Sequence, residues 1–308
     1  MDSERQKLRE QINQSMLKFN SLYKDPEAVY IDATFASKLF RSQIGPGMYL
    51  RSYIYKGIYF HTITIDQSNP EYRWKFDCCR TIVQNVLQDP NVKSGIVINA
   101  SFYQLKRDYS PVGFYKTETV TIDTPHSEIF KLYGGVCVKN GRLDIINNYN
   151  EAKTENYDQV ITAGPMLIDP DFTEQKCDDL DEKDIYLYRC QNTKGGVYNK
   201  TINCNDIIPG SLTHGCQDNP RSAIGKDKDG NITMVYVEGR GMRGKGATFA
   251  ELSQIGKSLG LVRMINLDGG NSSQIMWRRE EDNHICQLNP HHTFVYPVGS
   301  TISYVKTI

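Results

Sequence analysis

The chain has 308 residues, of which 39% are hydrophobic and 10% aromatic, so its composition suits a globular protein with one large core or two small ones. Its 36 Lys and Arg residues equal its 36 Asp and Glu residues, and a net charge of zero provides no global attraction for nucleic acid. No run of about 18 apolar residues occurs, so we predict no membrane span. The charged amino terminus does not resemble a signal peptide.

The eight cysteines are even in number, but a chain of this length does not depend on disulfides for its core. Four of them lie at wide spacing without a CxxC pair or a histidine at zinc-finger spacing, which disfavours structural zinc. These four are Cys177, Cys190, Cys204 and Cys216. The adjacent His291 and His292 would point to opposite faces of a strand. We therefore predict no metal and no cofactor, and the sequence contains no Walker loop or dinucleotide fingerprint.

Two glycosylation sequons, Asn99-Ala100-Ser101 and Asn271-Ser272-Ser273, lie in loops that we assign below to the active site. A glycan on either loop would block that site. The sequence therefore favours a compartment without glycosylation, and we expect a cytoplasmic protein. It predicts no particular oligomeric state, and neither nucleic acid nor a membrane is an expected partner.

Residues 1 to about 40 begin with a charged helical pattern that carries a partial apolar stripe. We predict a helical extension over residues 1–40 and a single domain over residues 41–308. Residues 169–218 are rich in Asp and carry several cysteines without a clear period, which indicates an insertion within that domain.

The first half of the predicted domain begins with a hairpin over residues 49–66, which are rich in Tyr, Ile and Thr and are broken by a Lys-Gly pair. Residues 77–87 have apolar positions on one side of a helix, which a following Asp-Pro pair would end. The apolar residues 95–98 predict a strand that leads to Asn99. Residues 160–168 predict a further strand, interrupted by a Gly-Pro pair.

Two tight hairpins and a capped helix are predicted further along the chain. An Asn-Gly pair separates residues 135–139 from residues 142–146, and an Asp-Gly pair separates residues 222–225 from residues 232–237. The helix has a capping box, an apolar face and a terminal glycine, and it precedes a strand that ends at Asp268. The capping box is Thr248 and Glu251, and the apolar face is Phe249, Leu252, Ile255 and Leu259. The terminal glycine is Gly260, and the strand is residues 262–267.

The segment INLDGGNSSQ, residues 265–274, places an acid, two glycines and two serines just past a buried strand, where sheets commonly build ligand sites. Gly269 and Gly270 permit positive φ, so their N–H groups would form a nest for a phosphate. Ser272 and Ser273 would add hydroxyl donors. An ordinary Asp-Gly-Gly turn is the alternative, and the complete string favours the ligand site.

Two further segments carry cations at strand ends. Arg221 has the permanent charge and planar fork that suit a phosphate, although a surface arginine is the alternative. In residues 238–246, cationic residues alternate with glycines. Such a loop could close over an anion, and a flexible, solvated loop is the alternative. Thr248 follows this loop, and we assign it to the helix cap first and to substrate binding second.

Six segments occur in a characteristic order: INASFY (98–103), AGPMLI (163–168), NPRSAIG (219–225), MVYVEGR (234–240), GATFAELSQIGKSLG (246–260) and INLDGGNSSQ (265–274). Together they resemble the phosphodiester glycosidases, relatives of the mannose 6-phosphate uncovering enzyme. The resemblance covers about residues 45–305. It implies a single domain with an α+β fold of mixed sheets with packed helices. It also implies the hydrolysis of an N-acetylglucosamine-like sugar 1-phosphodiester to free sugar and phosphomonoester, so the expected partner is a small-molecule or glycan phosphodiester substrate.

The chain departs from the family pattern at three segments. Glu238-Gly239-Arg240 replaces Asp-Gly-Arg, Pro220-Arg221-Ser222 replaces Pro-Arg-Thr, and Asn99-Ala100-Ser101-Phe102 replaces Asn-Gly-Gly-Phe. All three keep their polar character, but Ala100 and Ser101 restrict the backbone near the site. This difference leaves room for a substrate other than the one best known for the family.

The predicted catalytic residues are Asp268, Arg221 and Glu238, and the predicted substrate-binding residues are Asn99, Ser222, Arg240, Thr248, Asn266, Gly269, Gly270, Ser272 and Ser273. Asp268 would act as a nucleophile, a base or a stabiliser of an oxocarbenium ion, while the two arginines hold the phosphate. The two asparagines would bind sugar hydroxyls or an acetamido group. Glu238 is a reserve carboxylate.

Two other functions stay open at this point. A phosphodiesterase that attacks phosphorus would use the same cations, but it usually requires metal ligands that the sequence does not assemble. A non-catalytic module would bind a glycan or sugar phosphate on a decayed site. The joint presence of Asp268, Arg221 and Arg240 argues against such decay.

Overall fold

The computed structural model describes residues 29–31, 43–55, 57–103, 111–124, 134–147, 149–170, 215, 217–240, 244–288 and 297–308. In chain order the strands are β1 (Val29–Ile31), β2 (Gln43–Gly45), β3 (Met48–Tyr55), β4 (Ile58–Ile65), β5 (Tyr72–Ile82), β6 (Val92–Asn99), β7 (Gly113–Lys116), β8 (Thr121–Thr124), β9 (Gly135–Lys139), β10 (Arg142–Ile146), β11 (Gln159–Thr162), β12 (Met166–Ile168), β13 (Arg221–Asp227), β14 (Ile232–Val237), β15 (Leu261–Asn266), β16 (Ile275–Arg278), β17 (Ile285–Gln287) and β18 (Pro297–Thr307). The helices are α1 (Val83–Gln88), α2 (Tyr149–Thr154), α3 (Phe249–Ser258) and a 3-10 helix at Gly270–Ser272.

The described strands form three sheets. The first sheet has the order β1-β3-β4-β14-β13-β15-β12, with β2 paired to β3. The second sheet has the order β10-β9-β11-β7-β8, and the third has the order β17-β16-β6-β18-β5. Every pair among these strands is antiparallel. The predicted α+β fold of mixed sheets with packed helices is therefore wrong, because antiparallel strands dominate the described residues and the helices among them are few and short.

The largest local error lies at β5. We predicted a helix over residues 77–87, but β5 continues to Ile82 and only the short α1 beyond it is helical. The side chains of Tyr72, Trp74 and Phe76 are buried at every second position, which is the period of a strand. β18 pairs along the length of β5. The partner strand comes from the far end of the chain, so local periodicity does not reveal it.

The predicted hairpins are confirmed. β3 pairs with β4 across Gly57, β9 pairs with β10 across Asn140-Gly141, and β13 pairs with β14 across Asp229-Gly230. The single strand predicted over residues 160–168 is two strands, because β11 and β12 lie in different sheets on either side of Gly164-Pro165.

The helix α3 has the predicted ends. The Thr248 hydroxyl accepts a hydrogen bond from the Glu251 backbone N–H, and the Glu251 carboxylate accepts one from the Thr248 backbone N–H. Gly260 follows the last turn with a φ of +76°, which a glycine adopts without strain. Phe249 and Leu252 on the apolar face pack against the outer face of the first sheet.

The main core lies between the three sheets. Leu50 from the first sheet, Val136 from the second and Trp74 from the third belong to one cluster of buried side chains. The opposite face of each sheet carries one described helix, with α3 on the first sheet, α2 on the second and α1 on the third. A strand covered on both faces is buried along its whole length, as every residue of β14 is.

The buried glutamine Gln67 joins all three sheets. Its Nε2 donates to the carbonyl oxygens of Leu143 at 3.2 Å and Gly230 at 2.7 Å. Its Oε1 accepts from the Leu143 backbone N–H at 2.8 Å and the Trp74 indole N–H at 3.0 Å. Gln159 similarly bonds the backbone of β5 through both atoms of its amide. Side-chain amides thus bond backbone groups at places where the sheets meet.

Most of the predicted extension and insertion lies outside the described residues, and so do the four clustered cysteines and the His291-His292 pair. Residues 29–31, inside the predicted extension, form β1 and pair with β3. In the described ranges, no helix is long and apolar enough to cross a membrane. No three His, Cys, Asp or Glu side chains among those same residues gather in a possible metal site.

Candidate active site

The Asp268 loop lies where the first and third sheets meet. The Asp268 backbone N–H donates to the carbonyl oxygen of Ala100, just past β6, at 2.7 Å. The Gly270 backbone N–H donates to the carbonyl oxygen of Pro220, just before β13, at 2.9 Å. The loop is therefore attached to both sheets, and its position depends on strand ends that are distant in sequence.

Desolvation by burial raises the pKa of the Asp268 carboxyl group to about 7. The nearby Ser272 hydroxyl and Gly269 backbone N–H lower this pKa, but desolvation outweighs them. The side chain still retains some exposure to solvent. A carboxyl group that gains and loses a proton near neutral pH is suited to acid or base catalysis.

The predicted nest of glycine amides is not formed in this structure. The Gly270 N–H donates to the carbonyl oxygen of Pro220, and the Gly269 N–H faces the loop's own acid closely enough to lower the pKa of Asp268. The backbone N–H groups of Ser272 and Ser273 donate to carbonyl oxygens within the same loop at 3.2 Å and 3.3 Å. The N–H groups of Gly270, Ser272 and Ser273 thus hold the loop together and do not offer donors to a phosphate in this conformation.

Arg240 supplies the exposed positive charge beside the loop. Its Nη1 donates to Asn271 Oδ1 at 2.6 Å, and its Nη2 donates to Asn219 Oδ1 at 3.0 Å. The guanidinium lies over Gly270, where a Cβ atom would come within 3.1 Å of Nη2. Both acceptors are neutral amides, and no carboxylate in the described ranges forms an ion pair with Arg240. Its charge is therefore available to an anion.

Arg221 is placed differently from Arg240, because its side chain is buried. Its Nε donates to the carbonyl oxygen of Ala247 at 2.7 Å, and its Nη2 donates to that of Gln217 at 2.8 Å. The guanidinium lies 4.4 Å from the ring centre of Phe249 at the start of α3. These contacts join the start of β13 to α3, so Arg221 has a structural role.

Glu238 is buried within the first sheet. Its Oε1 lies 2.6 Å from His61 Nε2, and His61 Nδ1 lies 2.8 Å from Ser52 Oγ. A buried carboxylate needs such partners because burial removes its hydration. The side chain has no solvent-exposed surface, so Glu238 supports the end of β14 rather than facing a substrate in this structure.

Asn99 and Ser222 are buried beneath the Asp268 loop. Asn99 Oδ1 accepts from the Ser222 hydroxyl at 2.7 Å and from the Gln274 backbone N–H at 3.0 Å. Asn99 Nδ2 donates to the carbonyl oxygen of Asp268 at 2.7 Å. We predicted contacts between both side chains and a substrate, whereas the structure uses both to hold the loop.

Three other predicted binding residues also serve the protein scaffold. Asn266 is buried and donates to the carbonyl oxygen of Gly164 at 2.9 Å. Ser273 is fully buried. Thr248 is half-buried, and its hydroxyl belongs to the helix cap. Among the predicted residues at the loop, Arg240 is exposed and Asp268, Gly269 and Gly270 are half-buried.

Sequence reasoning missed Tyr103 and His61. The Tyr103 hydroxyl lies 3.2 Å from Ser272 Oγ, so it contacts the loop directly. Tyr103 belongs to INASFY, one of the six segments that carry the family resemblance, so the sequence contained a pattern that could have identified it. No sequence pattern points to His61, because a single histidine in an apolar strand does not reveal a carboxylate partner 177 positions away.

Comparison with known sequences gives two matches. A sequence model of the phosphodiester glycosidase family matches residues 93–302. A segment of 55 residues is 40% identical to the SPbeta prophage-derived uncharacterized protein YomE of Bacillus subtilis. This segment covers 18% of the present chain and only 8% of the Bacillus protein, so the likeness concerns a small part of that relative.

Comparison with solved structures shows a similar fold in distant proteins. The catalytic domain of zebrafish N-acetylglucosamine-1-phosphodiester alpha-N-acetylglucosaminidase, auto-inhibited by its pro-peptide, has a TM-score of 0.56 at 12% identity, and the match covers 92% of this chain and 89% of that chain. A putative exported protein of Burkholderia pseudomallei has a TM-score of 0.54 at 14% identity, with 88% and 78% covered. At these identities the likeness concerns the fold alone.

Proposed function

This chain belongs to the phosphodiester glycosidase family, and from that membership we propose that it hydrolyses a sugar 1-phosphodiester at the anomeric C–O bond. The products are a free sugar and a phosphomonoester. The proposed sugar is N-acetylglucosamine or a close analogue, because the zebrafish structural relative is named for that substrate.

The observation that carries the proposal is an acid on the Asp268 loop with an available cation, Arg240, beside that loop. Asp268 has a pKa of about 7, and Arg240 lies over Gly270, two residues further along. A phosphodiester carries one negative charge, which the Arg240 guanidinium can bind through its planar fork. The neutral amides of Asn219 and Asn271 hold the guanidinium without cancelling its charge.

The reaction needs charge stabilisation more than acid catalysis, because a phosphomonoester leaves readily. As the bond breaks, positive charge develops on the anomeric carbon and negative charge on the departing phosphate. Arg240 would stabilise the phosphate. Ionised Asp268 would act on the sugar side, either as the nucleophile or as the base that activates water.

The buried residues are assigned supporting roles. Arg221 fixes the start of β13 against α3, and Asn99 fixes the loop that carries Asp268. Glu238, through its contact with His61, stabilises the strand end that precedes Arg240. These roles replace the direct catalytic or substrate-binding roles that we predicted for Arg221, Asn99 and Glu238.

The test is hydrolysis in heavy-oxygen water with the methyl phosphodiester of N-acetylglucosamine 1-phosphate as the probe. The label should enter the anomeric hydroxyl of the sugar and not the phosphomonoester, measured by mass spectrometry before the free sugar exchanges. Asp268→Asn should lose most of the turnover, while Asp229→Asn in an exposed hairpin turn is the matched control and should keep it.

Two results would overturn the proposal. Label in the phosphomonoester would mean attack at phosphorus, as in a phosphodiesterase. Binding of sugar 1-phosphodiesters without any hydrolysis across a panel of sugars would indicate a non-catalytic binding module.

A further inference from the structure

Two asparagines hold the guanidinium group of Arg240 from two different segments of the chain. Asn219 lies just before β13 and accepts from Nη2 at 3.0 Å, and Asn271 lies in the 3-10 helix after β15 and accepts from Nη1 at 2.6 Å. Each asparagine thus contacts a different arm of the guanidinium group. Two contacts on separate arms fix the orientation of this planar group, which a single contact would leave free to turn.

The position of Asn219 is fixed by the close packing of glycines around it. Asn219 is buried, and its backbone forms a bridge with Ala247. Gly246 lies so near that a Cβ atom there would come within 2.6 Å of the Asn219 backbone. Gly239 approaches Pro220 in the same way, with a Cβ atom 2.8 Å from the proline nitrogen. The segment that carries the buried amide is therefore held by two glycines that no larger residue could replace without a shift of the backbone.

The backbone of Arg240 has a conformation that arginine rarely adopts. Its φ is +56°, in the left-handed region that favours glycine. Such a conformation persists where surrounding contacts hold it, and it is typical of functional sites. Here the two amide contacts hold the side chain over Gly270. The chain keeps an arginine where a glycine would be free of strain, which indicates that the side chain itself is needed.

The charge of Arg240 differs from the charges of its cationic neighbours in the part of the chain that the structure describes. Lys245 forms ion pairs with Asp218 at 3.3 Å and with Glu251 at 2.7 Å, which offset its charge. Arg221 is buried against backbone carbonyl oxygens. Arg240 instead combines an exposed side chain with two neutral amide partners. An aspartate in place of either asparagine would have nearly the same shape but would form an ion pair with the guanidinium group.

We propose that Asn219 and Asn271 are positioning residues, which fix the Arg240 guanidinium group over the loop and, because their amides are neutral, keep its charge for the phosphodiester group of the substrate. The identity of that substrate rests on the proposed function. Binding of a phosphodiester anion at Arg240 is measurable without any hydrolysis, so the two proposals can fail separately.

The test follows the Nε–H signal of Arg240 by NMR in the full-length protein labelled with nitrogen-15 at arginine, with dimethyl phosphate as the probe. Arg240→Lys assigns the signal by its absence. Asn271→Asp should raise the dissociation constant for dimethyl phosphate about tenfold, because the new carboxylate pairs with the guanidinium group. Asn271→Ala removes only one positioning contact and should raise it about threefold. Because Asn271 is exposed, both variants should melt within about 2 °C of the unsubstituted protein.

Asn283→Asp is the matched control. Asn283 is also an exposed asparagine that accepts from an arginine, Arg278, at 3.0 Å, and it lies at the other end of β16. The substitution adds the same charge and should change the dissociation constant by less than about twofold. Asn219→Ala should weaken binding about as much as Asn271→Ala, and the Asn271 variants decide the matter if the buried substitution prevents folding.

A merely structural role would give the aspartate and alanine variants of Asn271 equal effects. The proposal is overturned by that result, by an equal effect of Asn283→Asp, or by an Arg240 signal that dimethyl phosphate does not shift in the unsubstituted protein. Binding that follows the expected order in a protein that hydrolyses no sugar 1-phosphodiester would contradict the proposed function and leave this inference intact. Hydrolysis with an unchanged kcat/KM in Asn271→Asp would do the reverse.

Discussion

The carboxyl group of Asp268 costs the folded protein stability at neutral pH. An unfolded chain ionises aspartic acid near pH 4, whereas burial moves the pKa of Asp268 in the folded protein to about 7. Because the folded value is the higher one, the contribution of this group to stability is present below pH 4 and is lost as the pH rises to 7. A residue that is present although it lowers the stability of the folded protein is typical of a functional site.

Asp268→Asn should therefore stabilise the protein while removing its activity. Asparagine carries no charge, so the free energy of unfolding at pH 8 should rise by an amount on the order of 2 kcal/mol, with little change at pH 4. Thermal unfolding at the two pH values measures this difference. A lower melting temperature at pH 8 than that of the unsubstituted protein would refute the argument from desolvation.

Arg240 and Arg221 should respond in opposite ways to replacement by lysine. Arg240→Lys should leave the melting temperature within about 1 °C and raise KM at least tenfold, because lysine keeps the charge but loses the planar fork. Arg221→Lys should destabilise the fold by about 2 kcal/mol, because it loses two carbonyl contacts and the stacking on Phe249. Equal effects of the two changes on stability would contradict the separate roles.

Among the elements, α3 stands out because its local sequence specifies both of its ends. The capping box at Thr248 and Glu251 uses backbone groups that the helix leaves unpaired, and Gly260 follows its last turn. Arg221 reaches the start of this helix through Phe249. The cap therefore stabilises both the helix and the strand end beside the site.

Thr248→Ala should lower the free energy of unfolding by about 1 kcal/mol through loss of the cap. Chemical denaturation measures this change, and activity at saturating substrate should remain. Thr119→Ala, in a turn away from the site, is the control. Loss of activity in Thr248→Ala with unchanged stability would instead place the Thr248 hydroxyl against the substrate, which is the second of the two roles predicted from the sequence.

At the scale of the whole molecule, the three described sheets share one core, and the Gln67 side chain bonds groups that belong to all three. Its amide satisfies backbone groups of Leu143 and Gly230 and the indole of Trp74. Because this one side chain makes four hydrogen bonds, few other residues could satisfy the same backbone and indole groups. The junction of the sheets should thus be sensitive to the loss of this polar group.

Gln67→Leu should destabilise the protein by about 3 kcal/mol or more, because it leaves four buried polar groups without their partner. Urea denaturation measures this loss, with Gln88→Leu on the exposed side of α1 as the control. A cost below about 1 kcal/mol would mean that water or a shifted backbone replaces the amide. In that event Gln67 does not hold the sheets together.

The sequence alone determined features that depend on neighbours along the chain. The Asn140-Gly141 and Asp229-Gly230 turns, the capped helix α3 and the strand leading to Asp268 all follow from local periodicity and backbone preference. The family also follows from ordered motifs, and the match over residues 93–302 confirms it.

Only the tertiary structure decided how these pieces meet. The pairing of β5 with β18 makes a strand of residues that read locally as a helix. Burial then separates two arginines that look alike in sequence, since Arg221 bonds carbonyl oxygens inside the fold and Arg240 lies exposed over Gly270. The physical reason is that burial, desolvation and long-range pairing depend on contacts between distant residues, which local sequence patterns do not encode.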